Sequence, residues 1–316
     1  MEITNTLKKR FCKDYCIPIK LYEEPFFSDR IQIFEPFYGS HTKYQNLISV
    51  VNKIDNEDEF FEWAERIKDD IVTKVKETQG YKRFSKEKIE SFEPKNKDIK
   101  DNVLYVDENH GKIFISIDLV KANFTALKHY DNSILFNTEN YEEFMKLFTD
   151  EKYFIESKYM RQVVFGNLNP KLQSAYEKFM MDKILTELLK VFPKNKIYSF
   201  LTDEIIVSTD INKMITDFNQ VNAVLEKINK EGILARVDLF QLFQIEGVTG
   251  FIKKHIIDNK IEFKCVDAMF LPYIIKKVNN QTVLPEDLMF YHDKYLVQLV
   301  KPPNIKFPRH NKKENF

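Results

Sequence analysis

Two hairpin signals, separated by a long helical stretch, most constrain how this 316-residue chain can fold. Each signal consists of two apolar runs joined by a few polar residues, which is the pattern of an antiparallel β-hairpin. The first signal covers residues 103–118 and the second covers residues 197–208. Between them, apolar residues recur at helical spacing, and the longest helical run begins at Pro170 and stops before Pro193. The pattern predicts an α+β fold in which helices back an antiparallel sheet.

The composition is that of an ordinary globular protein. Apolar residues make up 43% of the chain and charged residues 30%, so a chain of this length can bury one large core or two smaller ones. Basic and acidic residues balance at 48 each, so a nucleic-acid-binding surface would require local segregation of charge. The sequence contains neither a signal-peptide pattern nor a long uncharged apolar run, and its three cysteines cannot form a closed disulfide framework. These features predict a cytoplasmic protein without a membrane partner.

The signals also predict three regions along the chain. Residues 1–100 are predicted to form a mixed α/β region, with strand-like runs at 17–21 and 31–34, a helix from about 57 to 77 and a charged linker at 82–100. Residues 101–300 contain both hairpin signals and are predicted to form the main domain, with a helical insertion at about 140–192. Residues 301–316 are rich in lysine and proline and are predicted to be a basic disordered tail.

Acidic residues stand at the ends of strands in both hairpins. Asp118 ends the run that begins at residue 113, and Asp203 and Glu204 lie at the turn of the second hairpin. Because strand side chains alternate between two faces, only one of these adjacent acids is expected to meet Asp118, and alternation counted along the hairpin favours Asp203. Two such carboxylates suit Mg²⁺ or Mn²⁺, which prefer hard oxygen ligands. Acids after strands also cap turns and helices, so a structural role stays open.

A segment between the hairpins carries a stripe of two cations and one aromatic ring. Lys158, Arg161 and Phe165 lie at positions i, i+3 and i+7, so they share one face if the segment is helical. The two cations can hold triphosphate oxygens, and the ring can stack on a base. The alternative interpretation is a surface helix with one buried phenylalanine.

Three motifs resemble the palm and fingers of family A (DNA polymerase I-type) polymerases. Along the chain they follow the order of that family: the first palm acid, the fingers helix and the second acid. The run Asp-Leu-Val-Lys-Ala-Asn-Phe-Thr-Ala-Leu-Lys-His-Tyr at residues 118–130 resembles the first palm motif. Thr-Asp-Glu-Ile-Ile-Val at residues 202–207 resembles the His-Asp-Glu motif of the second hairpin. Arg-Gln-Val-Val-Phe-Gly at residues 161–166 resembles the fingers helix. The resemblance implies a palm-like catalytic domain with short fingers.

The resemblance also implies roles for individual residues. Asp118 and Asp203 would bind metal, with Glu204 as a supporting catalytic acid. Arg161, Phe165 and Asn123 would be nucleotide-binding residues, and the helical stripe adds Lys158 to them. The motifs depart from the family at three positions: Thr202 replaces the histidine before the second acid, Asn123 replaces the glutamate that discriminates the sugar, and Asn169 replaces a fingers tyrosine.

The sequence therefore predicts a minimal Mg²⁺- or Mn²⁺-dependent nucleotidyltransferase or polymerase, of viral or mobile-element origin. Its partners would be a nucleoside triphosphate and a DNA or RNA primer–template. Two alternatives stay open. The departures from the family motifs favour a non-catalytic nucleic-acid-binding or replication accessory protein that keeps a polymerase-like fold. The other alternative is a nucleotidyltransferase with a small-molecule or tRNA acceptor.

Overall fold

The computed structural model describes residues 2–304 and has a mixed α+β architecture. Twelve α-helices lie within the described residues, and none of them is long and apolar enough to cross a membrane. They are α1 (Asn5–Asp14), α2 (Phe26–Tyr38), α3 (Ser40–Val51), α4 (Glu57–Glu77), α5 (Gln79–Phe84), α6 (Ala122–Tyr130), α7 (Tyr141–Lys146), α8 (Lys152–Glu156), α9 (Lys158–Gly166), α10 (Pro170–Leu188), α11 (Met214–Lys230) and α12 (Leu271–Val278).

The described residues also form eight strands, which are β1 (Ile113–Leu119), β2 (Ile197–Phe200), β3 (Glu204–Thr209), β4 (Ala235–Gln244), β5 (Phe251–His255), β6 (Ile261–Lys264), β7 (Met289–His292) and β8 (Tyr295–Gln298). Six of them form one sheet in the order β2-β3-β1-β4-β5-β6, and β7 pairs only with β8. The predicted α+β fold, an antiparallel sheet backed by helices, is confirmed.

Strand β1 lies between β3 and β4 and is antiparallel to both. Its register with β3 runs from Ile113 opposite Thr209 to Asp118 opposite Glu204. On the other side, the Val120 N–H donates to the Leu234 carbonyl at one end, and the Leu242 N–H donates to the Lys112 carbonyl at the other. Helices connect β1 to β2 and β3 to β4, so the first four strands follow a β-α-β-β-α-β order.

The two faces of β1 are buried in different ways. Ile115 and Ile117 point to one face and are fully buried, while α10 contacts β3 and α11 contacts β1. Phe114 points to the other face, where its ring lies 5.8 Å from that of Phe240 and 5.2 Å from that of Tyr198. Asp118 shares the Phe114 face because the two residues are four positions apart along one strand.

Contacts divide the described chain into two units. The first unit contains Asn46–Leu104 and Ile113–Phe240, and the second contains Glu2–Gln45, Tyr105–Lys112 and the described residues from 241 onwards. This division differs from the predicted boundary near residue 100. Within the second unit the N-terminal helices pack with the C-terminal segment: α12 contacts α2, and Arg30 donates to the Glu286 carbonyl at 2.7 Å.

The N-terminal strand-like runs are not strands. Residues 31–34 lie in α2, where Phe27, Ile31 and Phe34 are buried at positions i, i+4 and i+7. Residues 17–21 have no regular secondary structure. A short apolar run is compatible with either a strand or a buried helix face, and here the helical face of α2 accounts for residues 31–34.

Residues 82–100 are packed within the first unit rather than forming a linker. Phe92 is buried, and its ring lies 4.8 Å from that of Tyr176 on α10. The Asp182 carboxylate accepts hydrogen bonds from the backbone N–H groups of Lys95 and Asn96, each at 3.0 Å. This buried acid therefore fastens the charged segment to α10.

The first hairpin signal is correct for only one of its two arms. Residues 103–106 form no strand, and β1 pairs with β3 and β4 instead of with the segment that precedes it. The second hairpin forms as predicted, from β2 and β3. From residue 305 onwards, the predicted basic tail lies outside the described residues.

Candidate active site

Asp118 and Glu204 are register partners at the ends of β1 and β3. Directly opposed residues of an antiparallel pair project to the same face, with Cβ atoms about 5 Å apart. The expectation that Asp203 rather than Glu204 meets Asp118 is wrong. Strand β3 begins at Glu204, and the turn before it and the register shift between Ile197 and Ser199 break the alternation along the hairpin.

A buried serine holds the Glu204 carboxylate. The Ser116 hydroxyl donates to Glu204 Oε1 at 2.5 Å, and Ser116 lies two residues before Asp118 on the same face of β1. A hydroxyl donor at this position restricts the rotamers of the glutamate. The two carboxylates therefore have a defined arrangement on one face of the sheet.

A third residue on this face, Arg236 of β4, forms an ion pair with Asp118. Its Nη2 lies 2.6 Å and its Nε 3.0 Å from the same oxygen, Asp118 Oδ2. The Arg236 side chain is 72% exposed and that of Asp118 is 28% exposed. Glu204, Asp118 and Arg236 thus form a row across three neighbouring strands, with one net negative charge.

Asp203 lies in the turn before β3 and acts on a different group. Its backbone carbonyl accepts from the Leu119 N–H at 3.1 Å, and α10 borders the turn, where Lys178 Nζ donates to the Phe200 carbonyl at 2.6 Å. Burial and the negative charge of Asp203 together raise the pKa of Glu177 on α10 to about 7. The two adjacent acids, Asp203 and Glu204, therefore serve separate environments.

Asn123, predicted to contact nucleotide, bonds to α10. Its Nδ2 donates to Glu177 Oε1 at 2.8 Å, and this bond opposes the rise in the pKa of Glu177 without cancelling it. Asn123 is half-buried, while Glu177 is only 6% exposed. A nucleotide contact with Asn123 would have to share the side chain with this hydrogen bond.

Phe165 cannot stack on a base in this conformation, so that part of the prediction is wrong. The helix α9 forms as expected, but Phe165 is only 1% exposed. Its ring lies 6.4 Å from both Tyr141 and Phe144 in the core. The interpretation as a surface helix with one buried phenylalanine describes α9 correctly.

The cations expected on α9 are separated. Lys158 is exposed, whereas the guanidinium of Arg161 lies 5.7 Å from the centroid of the Tyr141 ring. The ammonium of Lys121, three residues after Asp118, lies 5.0 Å from the same centroid and pairs with Glu142. The second cation that lies near this ring, besides Arg161, is therefore Lys121 and not the predicted Lys158.

The hydroxyl of Tyr141 is buried and has no hydrogen-bond partner among the described residues. Burial raises the pKa of Tyr141, and the nearby positive charge of Arg161 opposes the rise. A buried hydroxyl normally has a partner, because leaving it unpaired is unfavourable. Tyr141 is therefore a buried, unsatisfied donor whose ring both Lys121 and Arg161 approach.

The described residues contain no group of three or more His, Cys, Asp or Glu side chains that could hold a metal ion. Mg²⁺ nevertheless keeps several water ligands and is often bound through one or two carboxylates and substrate phosphates. The register pair Asp118 and Glu204 fits that mode of binding and does not fit a site built from protein ligands alone.

Sequence reasoning missed Arg236, Glu177, Lys121 and Ser116. Ser116 and Lys121 lie near Asp118 in the chain, so strand alternation and the motif at residues 118–130 are the signals that could have found them. Arg236 and Glu177 belong to no such local pattern, and only the pairing of β4 with β1 and the packing of α10 against the hairpin turn bring them to the acids. Comparisons with known proteins add no further assignment: no family model matches the chain, and neither curated proteins nor solved structures show a significant match.

Proposed function

We propose that this protein is a metal-dependent nucleotidyltransferase, a minimal polymerase that adds nucleotides to the end of a nucleic acid. The observation that carries the proposal is the pair of carboxylates, Asp118 and Glu204, in register at the ends of β1 and β3. The two strands are neighbours in the sheet, and the turn that carries Asp203 directly precedes β3. The motif resemblance points to the same two strand ends, but it implies Asp203 as the second metal ligand, whereas the register favours Glu204.

Asp118 and Glu204 would hold Mg²⁺ or Mn²⁺ together with water and phosphate oxygens. When bound, such metal ions assist an attacking hydroxyl and stabilise the leaving oxygen of a phosphoryl transfer. Ser116 contributes by fixing the Glu204 carboxylate. Asp203 is adjacent in the chain, and its charge favours cation binding at this edge of the sheet.

Lys121 and Arg161 are the best candidates for contacts with the triphosphate. Arg161 offers a planar fork of donors that matches phosphate oxygens, and Lys121 offers a point charge three residues from the acid Asp118. Both cations approach the ring of Tyr141, whose buried hydroxyl has no hydrogen-bond partner among the described residues. Lys121 and Arg161 would supply the positive charge that a polyanionic substrate requires.

A second candidate is a non-catalytic nucleic-acid-binding or replication accessory protein that retains this fold. The ion pair between Arg236 and Asp118 favours it, because a carboxylate that already has a cationic partner does not need a metal ion. The burial of Phe165 also favours it, since the expected base-stacking ring is in the core.

Primer extension separates the two candidates. Labelled DNA and RNA primers, with and without template, are incubated with deoxyribonucleotides or ribonucleotides and Mg²⁺ or Mn²⁺. We expect incorporation by the wild type and at least about a hundredfold loss in Asp118→Asn and in Glu204→Gln, as for groups that stabilise a transition-state charge. Asp69→Asn, on the exposed side of α4, is the matched control.

Two results would reject the nucleotidyltransferase. One is incorporation that Asp118→Asn and Glu204→Gln both leave unchanged. The other is the absence of incorporation together with equal binding of primer–template by the wild type and both variants, which selects the accessory protein. Products formed on a tRNA or small-molecule acceptor without template would instead support the remaining alternative, a nucleotidyltransferase that uses such an acceptor.

A further inference from the structure

We infer that Arg236 exchanges partners during substrate binding, leaving Asp118 for a phosphate oxygen of the substrate when a metal ion binds that carboxylate. In the metal-free protein, Arg236 would occupy the position of the cation and keep the acid neutralised. This inference rests on the proposed function. It adds a specific coupling between metal binding and phosphate binding that neither Asp118 nor Glu204 provides alone.

The geometry of the ion pair supports the exchange. Two of the three guanidinium nitrogens, Nη2 and Nε, contact a single oxygen of Asp118, at 2.6 Å and 3.0 Å, so the pair is not the two-oxygen fork that makes arginine–carboxylate bonds strongest. Arg236 reaches the carboxylate from β4, and most of its side chain is in solvent, whereas Asp118 is largely covered. A metal ion that binds Asp118 Oδ2 must therefore displace the guanidinium.

Charge makes the competition direct. Arginine keeps its positive charge throughout the physiological pH range, so Arg236 and a divalent cation repel each other at the same oxygen. An ion pair this exposed is weak, and a divalent cation bound by both Asp118 and Glu204 can replace it. We expect removal of Arg236 to tighten the binding of a free metal ion by about threefold, which corresponds to a weak surface ion pair.

The displaced guanidinium then needs an anion. A substrate phosphate arrives at the same place as the metal ion, and the five N–H donors of arginine match the oxygens of a phosphate. The flexible, exposed side chain of Arg236 can turn towards such a group without any change in the strand that carries it. Loss of this contact should weaken phosphate binding by about tenfold.

The test uses two probes and three variants of the full chain. Mn²⁺ alone is titrated and followed by the electron paramagnetic resonance of the free ion, and inorganic tripolyphosphate is titrated calorimetrically in the presence of a chelator. Arg236→Gln should bind Mn²⁺ about threefold more tightly and tripolyphosphate about threefold more weakly, because without metal the phosphate must first draw the guanidinium away from Asp118. Asp118→Asn should lose Mn²⁺ binding and bind tripolyphosphate more tightly, because Arg236 is released. The exposed Arg66→Gln of α4 should change neither affinity.

The outcomes separate this inference from the proposed function. If Arg236→Gln leaves both affinities unchanged while Asp118→Asn abolishes Mn²⁺ binding, Arg236 is only a surface ion pair, and the metal site stands without the exchange. If the wild type binds no Mn²⁺, or if Asp118→Asn binds it as well as the wild type does, the proposed metal site fails and the exchange fails with it. If Arg236→Gln binds Mn²⁺ more tightly and tripolyphosphate more weakly, the exchange is supported. A purely structural role of Arg236 does not predict opposite changes in the two affinities.

Discussion

Glu177→Gln should stabilise the protein at alkaline pH and leave its stability nearly unchanged under acidic conditions. Glu177 is buried on α10, accepts one hydrogen bond from Asn123 and lies close enough to Asp203 to be affected by its charge. Glutamine has nearly the same shape and keeps an oxygen for the Asn123 bond. The substitution therefore removes the ionisation of this group without opening a cavity.

The size of the effect follows from the pKa of Glu177. Burial, and next the charge of Asp203, raise this pKa from the ordinary value of 4.5 to about 7. At about 1.4 kcal/mol per pKa unit, the difference amounts to about 3 kcal/mol of folding free energy. Above pH 7 the folded protein must hold an ionised carboxylate in a buried site next to another negative charge, and the unfolded chain is free of this penalty.

The direction of the pKa shift of Glu177 determines the pH range over which the stability of the protein changes. Between about pH 4.5 and pH 7 the folded state keeps a proton on Glu177 that the unfolded state has released, so stability falls as the pH rises through this range. Below the window both states are protonated, and above it both are ionised. The difference in unfolding free energy between Glu177→Gln and the wild type should therefore be near zero at pH 4.5, rise through neutral pH and level off near pH 8.

Urea denaturation followed by circular dichroism, repeated at each half pH unit from 4.5 to 8.5 in a metal chelator, measures this difference. Subtracting the wild-type curve cancels the titration of all other groups. Glu187→Gln on the same helix is the control, and its stability difference should change with pH in the opposite direction. Hydrogen bonds from Lys190 and Lys227 lower the pKa of Glu187, whereas that of Glu177 is raised. A pH-independent difference, or a Glu177→Gln variant less stable than the wild type at pH 8, would refute the reasoning.

Two further predictions concern packing in the first unit. Phe165→Ala should lower the unfolding free energy by about 4 kcal/mol in urea denaturation, because the ring is a core residue; a loss below about 1 kcal/mol would contradict its burial. Asp182→Ala should lower it by about 2 kcal/mol and expose the segment around Lys95 and Asn96 to trypsin, since their backbone N–H groups lose a charged acceptor. An unchanged cleavage rate in this segment would show that Asp182 does not fasten it.

Local patterns were sufficient to predict the elements that surround the candidate site. The apolar runs of β1, β2 and β3 and the proline that opens α10 are signals carried by a few neighbouring residues, and the structure contains all of these elements. They also placed Asp118 and Glu204 at strand ends. A strand end is a local property, so periodicity and turn residues can locate it without knowledge of the rest of the chain.

The strand predictions are wrong where a short apolar run is compatible with more than one structure. Residues 31–34 have the composition of a strand, yet Phe27 extends the same apolar positions backwards into a helical face. Residues 103–106 resemble the first arm of a hairpin, but β1 finds both of its partners more than eighty residues further along the chain. Strand pairing between distant segments is decided by the tertiary structure, and no local signal specifies it.

Alternation along the hairpin also explains why the wrong acid was chosen. Counting from Ile197 treats the turn as if it were strand, whereas the pairing of β3 with β1 begins only at Glu204. The charge environment is likewise non-local: Arg236 reaches Asp118 from β4, and Glu177 responds to Asp203 from α10. No spacing in the sequence relates these residues to each other.

The adjacent acids Asp203 and Glu204 thus have different roles at this end of β1 and β3. Glu204 faces Asp118 and is held by Ser116, while the charge of Asp203 acts on the buried carboxyl group of Glu177. If a cation binds between Asp118 and Glu204, it reduces the negative potential at this edge and makes ionisation of Glu177 less unfavourable. Metal binding at the sheet face and proton release from α10 would then be coupled through Asp203, although α10 supplies no ligand to the metal ion.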